Sequence, residues 1–280
     1  MSGIKLKPIP KVAGLNKKEF DDRYLYSHSP VVMTDLVQEW PAFSKWTPDF
    51  FKNVHGKNQV KIYDQSYAQA GSSYMKSTKE IPFSEYIESL LEKNIDMRIF
   101  LYNIIKEIPE LKLDLNLPRI VDKMDERFVF LFFGCKGSVT PLHFDIDMAH
   151  VLHTNLYGRK RWVLFAPSES RNLYHHPMTV RSYVDVNNPD LNKFPRMKDI
   201  QEGYEVILER GETLFIPSGY WHLVEYPESS FGLSMRVRSD EKSVRLHGLF
   251  NILFKNIPDR LLNRAFGNSW HHLKEKLSYL

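Results

Sequence analysis

The chain has 280 residues, 42% of them hydrophobic and 13% aromatic, which is enough for a large buried core and too apolar for a disordered chain. The formal charge is only +4, so nucleic-acid binding is not indicated. Cys135 is the single cysteine, which excludes an internal disulfide and a cysteine-built zinc site and fits a reducing compartment.

The opening stretch MSGIKLKPIPKVAGL lacks the apolar centre of a signal peptide. No apolar run approaches the ~18 residues of a membrane helix. A cytoplasmic protein with no membrane partner is therefore expected. NKKEFDDRYLY reads as a helix capped by Asn16, whose side chain accepts free amide hydrogens of the first turn. PVVMTDL reads as a short buried strand. In TPDFFKNVHG, Thr47 is the cap, Pro48 takes the first helical position and Gly56 the stop. VKIYDQ is strand-like. PFSEYIESLLEK is an amphipathic helix with Phe83, Tyr86, Ile87 and Leu90 on one face.

From Arg127 to Val237 the pattern changes to short strands between Gly and Pro turns. They are RFVFLFFG, VTPLHFD, HVLHTNLYG, RWVLFAP, YEVILERG, ETLFIP, WHLVEY and FGLSMRVR. This spacing predicts a sandwich or jelly-roll barrel. A long insertion, Ser168 to Gly203, separates the fourth strand from the fifth. After Asp240 the pattern is helical again, with apolar residues three and four apart. The expected division is a domain over 1–240, with its barrel core at about 127–238, and a helical tail over 241–280.

His143 and Asp145 stand two apart on a predicted strand, so their side chains share a face. A third ligand has to come from another strand. GETLFIPSGYWH offers His222: Gly211 turns, TLFI is a buried strand, Pro217 opens a loop and His222 begins the next strand. Two imidazoles and one carboxylate on one face of a metal leave the opposite positions open, which suits Fe(II) and its reaction with dioxygen. The bland alternative is a pair of hydrogen-bonded core histidines. Against it stands the Gly/Pro frame around both halves, Gly-x5-His ending at His143 and Gly-x5-Pro-x4-His ending at His222.

That frame matches the two motifs of cupin barrels, and the chain resembles the JmjC, or cupin-like, 2-oxoglutarate-dependent oxygenases. The pattern is similar to that of factor-inhibiting-HIF type protein hydroxylases and their bacterial relatives. The resemblance runs through SPVVMTDLVQEWPAFSKWTPDFFK, TPLHFD, GRKRWVLFAP, NNPDLNKFP and FIPSGYWHLVE. It implies a mainly β chain, a double-stranded β-helix with an N-terminal α/β extension and C-terminal helices. It also implies Fe(II), 2-oxoglutarate as co-substrate, and dioxygen. By position, His143, Asp145 and His222 match the iron ligands, and Thr140 and Lys160 the residues for the distal carboxylate of 2-oxoglutarate. A dicarboxylate deep in an apolar barrel needs such a charged partner.

Three positions depart from the family pattern. Val151 stands where relatives have Asn, so His153 and Asn155, in step with it on the strand, are expected to take over polar contacts to the co-substrate. Phe100 stands for a tyrosine, with Tyr102 as the expected substitute. Arg236 replaces an Asn. Asp147 and His150 are expected to support the site without ligating, Trp221 to lie in the barrel core, and Cys135 to pack at a strand end. His175 and His176 are expected in a loop, and His271 and His272 on an exposed helix face.

The activity implied is hydroxylation of an unactivated C–H bond, on a protein or peptide side chain. The alternatives are an oxygenase for a small metabolite or a modified tRNA base, and a non-catalytic ligand-binding scaffold. Demethylation would share the same iron step. Specificity is expected in the N-terminal segment and in the insertion. The apolar tail, with Leu249, Phe250, Leu253, Phe254, Leu261, Leu262 and Phe266, predicts a homodimer; packing back on the barrel is the alternative.

Overall fold

The computed structural model describes residues 4–68, 77–122 and 124–280. The N-terminal part runs β1 (Lys7–Pro8), β2 (Lys11–Val12), α1 (Lys17–Phe20), β3 (Val31–Met33), α2 (Pro41–Lys45), α3 (Pro48–His55), β4 (Gln59–Ile62), β5 (Lys79–Pro82), α4 (Phe83–Glu92), β6 (Arg98–Asn103) and α5 (Ile104–Glu107). The caps form as the sequence predicts. Asn16 and Glu19 make a reciprocal capping box, and Thr47 accepts from the amide of Phe50 with Pro48 next to it. Along α4 the residues Phe83, Tyr86, Ile87 and Leu90 are buried, as their spacing requires.

The barrel strands are β7 (Met124–Gly134), β8 (Val139–His143), β9 (His150–Tyr157), β10 (Lys160–Phe165), β11 (Gly203–Leu208), β12 (Thr213–Ile216), β13 (Trp221–Glu225) and β14 (Ser230–Val237). They form two facing sheets, β11-β10-β13-β8 and β12-β9-β14-β7. The chain passes repeatedly from one sheet to the other, which is the winding of a double-stranded β-helix. β1 extends the first sheet beside β11. β3 and then β2 extend the second beside β12, and β6 extends it beside β7.

Strict alternation divides the side chains among three apolar regions. Val129, Leu131 and Phe133 of β7 and Leu233, Met235 and Val237 of β14 face outward, onto the N-terminal helices. Trp162, Leu164, Leu214, Ile216 and Val224 face the barrel interior. Val163, Phe165, Trp221 and Leu223 face away from it on the other sheet, under a cover supplied by the insertion, including Leu173 and Tyr174. Trp221 is fully buried there rather than inside the barrel, and its indole N–H donates to Ser170 Oγ at 2.9 Å.

The tail forms α6 (Lys242–Phe250), a wider turn over Asn251–Asn256, and α7 (Ile257–Ser278), which breaks at Gly267 with φ +50°. Its far end closes on the insertion. Arg196 donates to the carbonyls of Ser278 (2.6 Å) and Tyr279 (3.1 Å), and Tyr279 stacks on Phe194. Its middle carries exposed Leu249, Phe250, Leu253, Phe254, Leu261 and Phe266. Among the described residues no helix is long and apolar enough to cross a membrane.

Candidate metal and co-substrate site

His143 ends β8 and His222 lies directly opposite it on β13, where cross-strand partners come closest. Their rings stand 4.2 Å apart between centroids. Asp145 follows β8 by two residues. One ligand atom from each of these three residues lies within 4.8 Å of the other two, the spacing a single metal ion needs. The tautomers suit ligation. His143 Nδ1 faces the carbonyl of Pro141 at 2.8 Å, and His222 Nδ1 that of Tyr220 at 3.1 Å. With Nδ1–H donating in each, both Nε2 lone pairs are turned to the shared centre. Burial holds His143 neutral, with its pKa down to about 3, reinforced by His222; burial lowers His222 as well. Burial alone would raise Asp145, yet the charge and hydrogen bonds of Arg236 outweigh it and keep the carboxyl well below the usual range. Two neutral imidazoles and an ionised carboxylate are the protonation states a divalent cation requires.

The interior between the sheets is a cavity of about 510 Å3. His143, Asp145 and His222 line it, with Thr140, His153 and Ser234. Phe128, Phe130, Phe132, Phe100 and Trp162 form its apolar wall. Beside it lies Lys160, fully buried. Its Nζ is 3.2 Å from His153 Nε2 and donates to the Phe132 carbonyl at 3.2 Å, and it lies 5.3 Å from the centre of the Tyr226 ring. His153 Nδ1 is 2.7 Å from Ser234 Oγ. Burial drives the Lys160 ammonium well below the ordinary lysine value. Among the described residues no carboxylate pairs with it. A buried cation of this kind calls for an anionic ligand, and a dicarboxylate fits the demand.

Two positions do not stand where strand alternation places them. Tyr102 was expected beside Phe100 on the cavity face. Instead Leu101 takes a left-handed backbone (φ +54°), and between the pairs Ile99–Phe133 and Tyr102–Leu131 two residues of β6, Phe100 and Leu101, oppose one of β7, Phe132. The extra residue reverses the alternation. Phe100 lines the cavity, whereas Tyr102 packs on the outer core, with its ring 6.0 Å from Phe83. Asn155 was expected on the cavity face with Val151 and His153. Those two do line the cavity, but the Asn155 amide turns to the Gly158 carbonyl at 2.5 Å and holds the turn into β10. The ladder to β14 is irregular at that point, between Phe231 and Gly232.

Further groups surround the site, of which sequence reading missed Arg181. Arg236 grips Asp145 with both arms of its guanidinium, at 2.5 and 3.0 Å, and lies 3.8 Å from Asp147. Arg181, from the insertion, pairs by backbone with His143 and lines the cavity. His150 supports the loop before His222, since its Nδ1 accepts from the amide of Ser218 at 3.0 Å. His176 lies in a loop of the insertion, as expected, but is buried there, and its ring lies 5.3 Å from that of His271 on the tail. Cys135 is buried at the end of β7, as expected.

The fold and the site together define a cupin-type barrel with a two-histidine, one-carboxylate metal-capable centre. The signature of the Cupin-like domain family matches residues 17–257, and the chain belongs to that family. It is 33% identical over 258 residues to JmjC domain-containing protein D of Dictyostelium discoideum, covering 81% of this chain and 55% of that protein. It is 32% identical over 235 residues to Lysine-specific demethylase 8 of Xenopus tropicalis, covering 81% and 52%. It is 27% identical over 249 residues to human tRNA wybutosine-synthesizing protein 5, covering 81% and 77%. The chain thus spans about half the length of the first two relatives. Proteins of this JmjC type use Fe(II) and 2-oxoglutarate, and the donor set and buried lysine described above fit both.

Proposed function

We propose that the chain is an Fe(II)- and 2-oxoglutarate-dependent dioxygenase that hydroxylates an unactivated C–H bond. The observation that carries this is the joint presence of two features in one barrel: three convergent metal donors, and a buried lysine without a carboxylate partner among the described residues. A scaffold that binds no metal needs neither. His143, Asp145 and His222 would hold the iron; Lys160 and Thr140 would take the distal carboxylate of 2-oxoglutarate, with His153 behind Lys160. The bound iron, with co-substrate and dioxygen, supplies the oxidising power. The protein orients the reactants and excludes water from a chamber walled by phenylalanines.

The favoured substrate is a protein or peptide side chain. Support comes from a cavity with an exposed aromatic at its lining, Phe128, and from relatives named as lysine-specific demethylases. The relative named for wybutosine synthesis on tRNA keeps a modified nucleobase as the second reading. Cys135, a buried free thiol, supports a reducing, cytoplasmic setting. A second copy of the chain would cover the apolar tail, whose Phe254 and Leu261 are 60% and 65% exposed.

The test is succinate release from 2-oxoglutarate with added iron, abolished in His143→Ala and in Asp145→Ala. No release under any iron and reductant supply would leave only the scaffold. Substrate class follows from mass spectrometry of host peptides and host tRNA for oxygen addition. The dimer is read by light scattering; a chain cut at Asp240 that remains dimeric would remove the tail as its interface.

A further inference from the structure

Asp145 is a ligand without a strand to hold it. β8 ends at His143, and residues 144–149 form the loop into β9. A carboxylate on such a segment has several rotamers open to it, and burial makes the wrong ones costly. The side chain opposite is Arg236, which points inward from β14, two residues after Ser234 on the same face. Strand β14 lies between β7 and β9 in its sheet; at Arg236 it pairs with Val151 of β9, while its ladder to β7 is irregular between Met235 and Val237. The guanidinium is therefore mounted on a strand paired within the sheet, and the carboxylate on a loop.

We propose that Arg236 is the positioning residue of the metal-binding carboxylate: its two-armed grip keeps Asp145 turned toward His143 and His222. This rests on the reading of those three residues as the iron site. The geometry is compatible with metal binding at the same time as the grip. A carboxylate has about four lone-pair directions, and the fork takes one on each oxygen. The Asp145 donor already stands within 4.8 Å of both imidazole donors while Arg236 holds it. Asp147, 3.8 Å from Arg236 Nε, offers the third side of the guanidinium a carboxylate and keeps it from turning away. A shorter, neutral side chain at this position could not make a charged two-armed contact. The positioning device is thus a property of this chain's own residues.

Positioning and charge act in opposite directions on a dication. Loss of orientation weakens binding, whereas loss of a nearby positive charge favours it. Arg236→Lys separates them, because it keeps the charge and loses the fork. The probe is Co(II) alone, titrated anaerobically into the full chain, with affinity and visible absorption read together. Wild type should take up one equivalent. Arg236→Lys should bind about 10–100-fold more weakly, the usual cost of losing a partner that orients a ligand, with a changed absorption envelope from altered coordination. Arg236→Gln, which retains a single donor arm but loses the charge, serves as the second variant; whatever its affinity, it should show the same changed absorption envelope. Thermal unfolding without metal checks that each variant is folded. Unchanged or tighter Co(II) binding by folded Arg236→Lys, or a wild-type absorption envelope in folded Arg236→Gln, overturns the proposal, and failure of both to fold would make Arg236 a stability residue instead. Failure of the site reading looks different: wild type would take up no Co(II), or His143→Ala and His222→Ala would still bind it.

Discussion

Lys160 Nζ lies 3.2 Å from His153 Nε2, a buried amine resting on a neutral imidazole. Burial, and then the lysine's own charge, keep His153 well below its ordinary pKa, so it accepts rather than donates at Nε2. Its Nδ1–H is then directed to Ser234 Oγ. The pair is an arrangement in waiting for an anion, costly by itself and satisfied by a carboxylate. Replacing Lys160 with Met removes the cost and the function together. Lys160→Met is expected to melt at a higher temperature than wild type without co-substrate, and to lose about 2–3 kcal/mol of 2-oxoglutarate binding. Calorimetric titration and thermal melts read both. A Lys160→Met protein that keeps its 2-oxoglutarate affinity would place the distal carboxylate elsewhere.

The same lysine sets a pH dependence whose sign follows from burial. Its folded pKa lies well below 10.5, the value in an unfolded chain. Between the two, the unfolded chain binds a proton that the free fold does not, so stability of the free protein rises as pH increases through that window. Dicarboxylate binding favours the charged ammonium, so binding takes up a proton and weakens as pH rises. From about pH 7 to 9, where 2-oxoglutarate itself does not titrate, its dissociation constant should increase. Titrations in two buffers of different ionisation enthalpy measure the proton uptake directly. A constant affinity with no uptake would show that Lys160 is already charged in the free protein.

Gly232 links the backbone of β14 to this pair. A Cβ there would stand 2.5 Å from the Thr154 carbonyl oxygen and 2.7 Å from His153 Nε2. Neither neighbour gives way without cost, since one is sheet backbone and the other is held by Ser234. Gly232→Ala should therefore destabilise the chain by about 1–3 kcal/mol and push His153 away from Lys160. Chemical denaturation gives the first quantity. The second appears as weaker 2-oxoglutarate binding with Co(II) affinity retained; equal loss of both ligands would mean general unfolding of the barrel rather than a local displacement.

The eight barrel strands were legible because hydrophobic alternation and Gly or Pro turns are both local signals; the strands Met124–Gly134 to Ser230–Val237 overlap the segments read from sequence, but β8 stops at His143 and leaves Asp145, expected on the same strand, in the loop beyond. His143, Asp145, His222 and Lys160 were legible for a different reason: fixed spacings from Gly137, Gly158, Gly211 and Pro217 place them. What escaped depends on contacts between distant segments. Nothing local announces that Leu101 adopts a left-handed backbone, which β-sheet sterics rarely ask of leucine, and that one residue moves Tyr102 from the cavity to the core. Asn155 kept the right count along its strand but stands where the ladder ends in a turn. Arg236 was visible as a departure from the family pattern, while its partner, Asp145, lies in another strand's loop. Arg181 sits in an insertion with no periodicity to read.

The tail reaches the metal loop as well as the surface. Gly248 of α6 packs on the backbone of Asp147, where a Cβ would stand 2.3 Å from the carbonyl oxygen. One turn further on, the Asn251 amide faces the Ile146 carbonyl at 3.4 Å. Helix and loop thus meet backbone to backbone, two residues from Asp145. In the helix itself alanine is the better residue by about 1 kcal/mol, so a Gly248→Ala change tests packing against propensity. The contact should win: the substituted helix has to move away, the loop over 145–148 loses its support, and Co(II) binding weakens although no ligand has changed. Hydrogen exchange on residues 144–149 should accelerate in the same variant. If Gly248→Ala instead raises the melting temperature and leaves Co(II) affinity and exchange as they were, then propensity has won and the tail does not brace the metal loop.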